Sequence, residues 1–168
     1  MPAHAAPHKL AGGEGGRDPG PEHRLEMCRL AVLGASGVLV SALEIERRGV
    51  SYTVDTLRAL HASHPEAELT LIVGADIAQT LGSWREPSQL LALADVAVAA
   101  RPGAPVPPLP HLDGARMSLL EMPAIDISSS MVRARVARGE PIEELVGAAV
   151  AGYIAEYHLY RVASRTGA

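Results

Sequence analysis

With 168 residues, 48% of them hydrophobic, the chain is long enough for one domain with a sizeable core; aromatics make up only 3% and Phe is absent, so Leu, Val, Ile and Ala must fill it. The net charge of −4 gives no global basis for binding nucleic acid or a membrane surface. Cys28 stands alone, which excludes a disulfide framework and fits a reducing, cytoplasmic compartment, and no apolar run approaches the roughly 20 residues that cross a bilayer.

Residues 1 to 21 hold five Gly and four Pro and predict a flexible loop; they lack the apolar stretch of a secretory signal. Glu22 to Leu33 predicts a helix with Leu25, Cys28 and Val32 on one face. Leu39 to Ile45 predicts a strand, and Arg47-Arg48-Gly49 a turn. Ser51-Tyr52-Thr53 opens a helix striped by Val54, Leu57 and Leu60, with Asp55 in the first turn where the helix dipole favours it. Leu69 to Val73 is a near-continuous apolar run, as expected of a parallel strand buried on both faces, and it breaks into Gly74-Ala75-Asp76. Pro87 suits the first position of a helix that runs to Ala94, followed by a second buried strand from Asp95 to Ala99.

Five prolines between 102 and 110 predict a stiff surface loop, and Met117 to Met122 an edge strand. Three hydroxyls, Ser128, Ser129 and Ser130, then lead into an amphipathic helix from Met131 to Arg138 that stops at Gly139. Short helices over Pro141 to Val146 and Val150 to Tyr160 complete the chain. Strand–helix alternation of this kind predicts an α/β domain spanning residues 1 to 168, with a mostly parallel sheet flanked by helices. Ligands of such sheets sit at the C-terminal ends of strands, where Gly74-Ala75-Asp76 and Ile127-Ser128-Ser129 fall.

The Ser-rich helix start offers free backbone N–H groups, hydroxyls and the positive end of a dipole, and Arg133 in its first turn can fork onto phosphate oxygens. The plainer alternative is that these serines only cap a helix. Asp76 has the same alternative, Tyr52 that of packing back on its helix, and Trp84 that of simple core or surface packing.

Five separated segments occur in order: Ser51-Tyr52-Thr53-Val54-Asp55-Thr56-Leu57, Gly74-Ala75-Asp76, the lone Trp84, Ala100-Arg101-Pro102-Gly103, and Ile127-Ser128-Ser129-Ser130-Met131-Val132-Arg133. Their order and spacing resemble the bacterial nicotinate-nucleotide adenylyltransferases, and Tyr153 to Tyr160 looks like that family's last helix. The resemblance implies a Rossmann-like nucleotidyltransferase fold and transfer of AMP from ATP to nicotinate mononucleotide, giving deamido-NAD and diphosphate in NAD biosynthesis. It implies that Arg133 and Lys9 serve the reacting phosphates. His8, Lys9, Gly74, Asp76, Ile127, Ser128, Ser129, Ser130 and Arg133 would bind ATP. Tyr52, Thr53, Trp84, Arg85 and Arg101 would bind nicotinate mononucleotide, with Trp84 stacked on the pyridine ring and Thr53 and backbone N–H groups near Tyr52 and Arg85 reading its carboxylate. Mg²⁺ would come with ATP and need few protein ligands. The implied partners are these small molecules, not nucleic acid or membrane; assembly into a homo-oligomer is left open.

The chain departs from the family in one respect. The family opens with a strand, a Gly-Thr-Phe-Asp-Pro turn and a His-x-Gly-His helix start, and no counterpart is found: none of His4, His8, His23, His61, His64, His111 and His158 has a His three residues later with Gly between. A strand–helix–strand unit of roughly 30 or more residues, containing the family's first strand and helix, is therefore expected to be missing. Because the downstream motifs are intact and Met1-Pro2-Ala3 falls where the family often has Val-Pro-Ala, the expectation is a shortened form of a normal enzyme with a misplaced start. The two family histidines stabilise charge on the transferred phosphoryl group, so the 168-residue chain is expected to be slow or inactive. A truncated remnant that binds nucleotide or a partner protein is the alternative. A sister nucleotidyltransferase acting on phosphopantetheine fits the Ser51-Tyr52-Thr53 segment and Trp84 less well.

Overall fold

The computed structural model describes residues 1–7, 18–100, 112–123 and 125–161. By its internal contacts the chain divides into two compact units, one made of Met1–Ser51 with Asp126–Ala168, the other of Tyr52–Ile125.

The Tyr52–Ile125 unit is α/β. Its strands are β1 (Thr70–Gly74), β2 (Asp95–Ala100) and β3 (Met117–Glu121), and among the described residues they form one parallel sheet in the order β1-β2-β3. The register pairs Thr70 with Asp95 and Val96 with Met117. Helices α3 (Thr53–Ser63) and α5 (Pro87–Leu93) pack on each other, and α5 packs on β2. Between them lies a core of Val54, Leu57, Val73, Ala78, Leu81, Leu90, Val96 and Val98. A one-turn α4 (Ala75–Ala78) and a 3₁₀ turn (Leu81–Ser83) carry the chain from β1 towards α5. β2 is buried as expected. β1 is not buried on both faces: Val73 is inside, but Ile72, on the opposite face, is 62% exposed. An apolar run fixes that a strand forms, whereas the elements packed over each face decide how much of it is covered.

The other unit gathers α1 (Pro21–Ala31), α2 (Leu43–Arg47), α6 (Ser129–Arg138), α7 (Glu143–Val146) and α8 (Ala148–Glu156). Val132 of α6, Ile142, Val150, Ala151, Ile154 and Leu159 form its core, with Met27 and Leu30 of α1 packed against it. Two expectations are corrected here. The segment Leu39 to Ile45 is not a strand: the amides of Ile45 and Glu46 both donate to the Ala42 carbonyl at 2.9 Å and close a single helical turn. Alternation over four residues, Leu43 to Glu46, cannot distinguish the two. Nor are residues 1–7 of the predicted loop free, while 8–17 lie outside the described residues. Ala5 forms a parallel bridge with Val50, its carbonyl accepting from Ser51 N–H at 2.8 Å, and the Arg24 guanidinium donates to the carbonyls of Ala3 and His4.

Candidate functional site

Two groups of candidate residues are in view, one in each unit. In the Tyr52–Ile125 unit, α3 begins at Thr53 with Tyr52 as its N-cap residue, and no side chain caps it. The end of α3 therefore presents backbone donors and the positive pole of its dipole to a carboxylate, alongside Asp55 of the first turn, whose own charge is met by Arg58. The Tyr52 ring is half-buried against the core, and the Arg85 guanidinium lies over it, 4.6 Å from the centroid. Trp84 is half-buried too. One edge of its indole is anchored, because Nε1–H donates to Thr80 Oγ1 at 3.0 Å while the Thr80 hydroxyl donates to the Ile77 carbonyl at 2.8 Å. Fixed at that edge, the ring is a flat platform with little rotational freedom left to lose.

Glu86 follows at φ 50°, ψ 59°, a left-handed conformation that a non-glycine residue seldom adopts. Its carboxylate is gripped by Arg58 of α3, with Nη2 at 2.5 Å from Oε2 and Nη1 at 3.4 Å from Oε1. That hydrogen bond holds the Glu86 carboxyl below the usual glutamate range. Arg58 also reaches Asp55 Oδ1, 3.3 Å away on its own helix.

At the C-terminal end of β1, Gly74 is the N-cap residue of α4 and Asp76 lies in the first turn, so Asp76 is not the cap. The Asp76 side chain folds back over Gly74: a Cβ placed on Gly74 would stand 2.7 Å from Oδ1. The glycine is what leaves room for this carboxylate.

In the other unit, Ser128 is the N-cap of α6, its Oγ accepting from Met131 N–H at 3.1 Å. The capping alternative thus holds for Ser128. Ser129 and Ser130 lie beyond it, exposed, in the first turn. Arg133 bends back along the helix and donates from Nη2 to Ser130 Oγ at 3.2 Å. Its charge also reaches the Tyr160 hydroxyl, opposing the burial that raises the pKa of that phenol. No acidic residue occupies the first turn of α6, so no carboxylate there repels an anion, although the Met131 N–H is taken by Ser128 and Arg133 already donates to Ser130. Ile127 precedes the cap and is 40% exposed. At the far end, Gly139 takes φ 71° and stops the helix as expected.

Of the expected site residues, Tyr52 and Arg85 are brought into contact, Thr53 and Trp84 belong to the same unit, and at the start of α6 Arg133 is bonded to Ser130 while Ser128 caps the helix. His8, Lys9, Arg101 and the proline-rich 102 to 110 segment lie outside the described residues. Sequence reasoning missed Thr80, Arg58 and Glu86. The Trp84-to-Thr80 spacing of four residues was the only signal for Thr80, and nothing local links Arg58 to a carboxylate 28 positions on.

Comparison with known proteins adds three findings. The cytidylyltransferase-like family model matches residues 20–135. A probable nicotinate-nucleotide adenylyltransferase of Clavibacter michiganensis subsp. michiganensis is 43% identical over 142 residues, covering 83% of this chain and 70% of the relative; another from Desulfitobacterium hafniense (strain Y51) is 40% identical over 171 residues, covering 96% and 80%. Among solved structures, Plasmodium falciparum nicotinic acid mononucleotide adenylyltransferase complexed with NaAD aligns with a TM-score of 0.61 at 19% identity, over 83% of this chain and 73% of that one. That last likeness speaks for the fold.

Proposed function

The chain belongs to the nicotinate-nucleotide adenylyltransferase family of cytidylyltransferase-like proteins, and on that footing we propose that it transfers AMP from ATP to nicotinate mononucleotide, producing deamido-NAD and diphosphate for NAD biosynthesis. The observation that carries the proposal is 40 to 43% identity spread over most of the chain, joined to a candidate acceptor site whose chemistry suits a flat, acidic ring.

In this reading the nucleotide's phosphate attacks the α-phosphorus of ATP directly, the diphosphate leaves, and no covalent enzyme intermediate forms. Catalysis is then positioning and neutralisation of phosphate charge. Trp84 offers its anchored indole face to the pyridine ring. Thr53, with the backbone donors at the start of α3 around Tyr52, receives the ring carboxylate, and Arg85 adds positive charge over Tyr52. N–H donors match a carboxylate at both oxygens but clash with the NH₂ of a carboxamide, which favours the acid over the amide nucleotide. Ser129, Ser130 and Arg133 hold ATP phosphates at the α6 N-terminus after Ile127 and the Ser128 cap, and Asp76, in the space Gly74 leaves, accepts from a ribose hydroxyl. His8 and Lys9 add cationic contacts to the phosphates, and Arg101 contributes on the acceptor side.

ATP-dependent nucleotidyl transfer generally uses a divalent cation, and we take it to be Mg²⁺ here. The first turn of α6 carries hydroxyls and an arginine but no carboxylate, so the cation would be held chiefly by the triphosphate and water. It would neutralise charge on the phosphates when bound. Among the described residues no helix is long and apolar enough to cross a membrane. The lone Cys28 supports a cytoplasmic setting for the reaction. The test is a fluorescence titration, since Trp84 is the single tryptophan of the chain. Nicotinate mononucleotide is expected to quench its emission to saturation, and nicotinamide mononucleotide to do so only at higher concentration. Equal quenching by the two would overturn the carboxylate assignment.

A further inference from the structure

Three observations meet at one turn. Glu86 sits in the left-handed region without being glycine, a conformation that persists only where its surroundings hold it. Both oxygens of its carboxylate face both amino groups of Arg58, a fork with directional preference that a lysine could not supply. The residue before it, Arg85, is laid over Tyr52 at the opening of the same helix that carries Arg58. The Trp84–Glu86 segment is thus attached to α3 at two points, Tyr52 and Arg58. Arg58 is itself steadied by Asp55 one turn earlier.

Stability does not explain this arrangement well. The Arg58 and Glu86 side chains are each 41% exposed, and ion pairs so open to water add little to folding, while the left-handed turn works against it. What the contacts do achieve is geometric: they set the height and tilt of the chain leaving Trp84 relative to the first turns of α3.

We propose that Arg58 and Glu86 are positioning residues of the acceptor site, a clasp that fixes the Trp84 platform against the carboxylate-receiving end of α3. The inference rests on the acceptor-site reading given above. It makes the pyridine nucleotide, not ATP, the ligand that feels the clasp. It also makes the Glu86 conformation a retained cost, one that glycine would remove without restoring the grip.

The experiment measures binding of nicotinate mononucleotide and of ATP separately by calorimetric titration of the full chain, alongside thermal melting. Arg58→Met and Glu86→Gln are each expected to raise the Kd for nicotinate mononucleotide about fivefold and leave that for ATP unchanged; the double variant is expected to be no worse than the weaker single one, the mark of residues acting as a unit. Glu86→Gly is expected to melt no earlier than the parent, because relief of the left-handed strain offsets the added chain freedom, yet to lose the same affinity. Losses that add in the double variant, that appear equally for ATP, or that follow the melting temperature would overturn the clasp. So would unchanged affinity in every variant. Trp84→Ala separates the two claims: if it leaves nicotinate mononucleotide binding intact, the acceptor site itself is misassigned, whereas if it weakens binding and the clasp variants do not, only the clasp falls.

Discussion

The Trp84 indole N–H is 3.0 Å from Thr80 Oγ1, and the same hydroxyl donates onward to the Ile77 carbonyl. A single threonine therefore aims the ring proposed to meet the pyridine. Thr80→Val keeps the shape and removes the acceptor, so the indole is left free to rotate. Affinity for nicotinate mononucleotide is expected to fall about threefold while that for ATP holds, and Thr80→Ser, which keeps the hydroxyl, is expected to restore most of it. Fluorescence titration of Trp84 in each variant reads the outcome.

Ser128 and Arg133 share a helix turn but not a role. Ser128→Ala removes the acceptor of Met131 N–H and is expected to cost about 1 kcal/mol of stability, as for other lost N-caps, seen as a lower melting temperature. Arg133→Ala is expected to leave melting nearly unchanged and to weaken ATP binding roughly tenfold or more, the worth of a charge-assisted contact. Titration calorimetry against ATP separates the two.

Gly74 has φ −68°, which any L residue tolerates, so Gly74→Ala does not strain the backbone. The new Cβ would instead press on Asp76 Oδ1 at 2.7 Å and push the carboxylate aside. The expected result is a small change in melting temperature with a clear loss of ATP affinity. Combining it with Asp76→Ala is expected to be no worse than Asp76→Ala alone, which a double-mutant cycle would read.

The Glu86 carboxyl is held below its ordinary value of 4.5 by the hydrogen bond from Arg58. A carboxylate with a lowered folded-state pKa contributes stability above its unfolded value and loses it as pH falls through the folded one. The gap in nicotinate mononucleotide affinity between the parent and Glu86→Gln is therefore expected to be constant between about pH 6 and 8 and to close on acidification below the ordinary glutamate range. Titrations across that series measure it.

What the sequence made legible was what depends on neighbours along the chain. The apolar runs at Leu69 to Val73 and Asp95 to Ala99 became β1 and β2, and the serine start and Gly139 stop bounded α6. The strand reading of Leu39 to Ile45 failed because its few apolar positions are too short a pattern to set a period, and the segment closes one helical turn that buries Ile45 alone. The rest depends on distance in the chain. Ile72 is exposed on the face opposite buried Val73, and which face of a strand other elements cover is not written in the run itself. The first residues are held because Val50 and Ser51 come to Ala5 and Arg24 reaches the carbonyls of Ala3 and His4, which Gly and Pro content could not foretell. Trp84, Thr53 and Arg133 were singled out by motif, yet Thr80, Arg58 and Glu86, which orient them or their neighbours, carry no motif and emerge only from geometry.

Product analysis puts the proposed reaction to the test. The protein is incubated with ATP, Mg²⁺ and nicotinate mononucleotide, and the mixture is separated by chromatography. Deamido-NAD and diphosphate are expected in equal amounts, above a protein-free control and lost in Arg133→Ala. No deamido-NAD at nicotinate mononucleotide concentrations that saturate the Trp84 signal would contradict the transfer and leave a protein that binds the nucleotide without adenylating it.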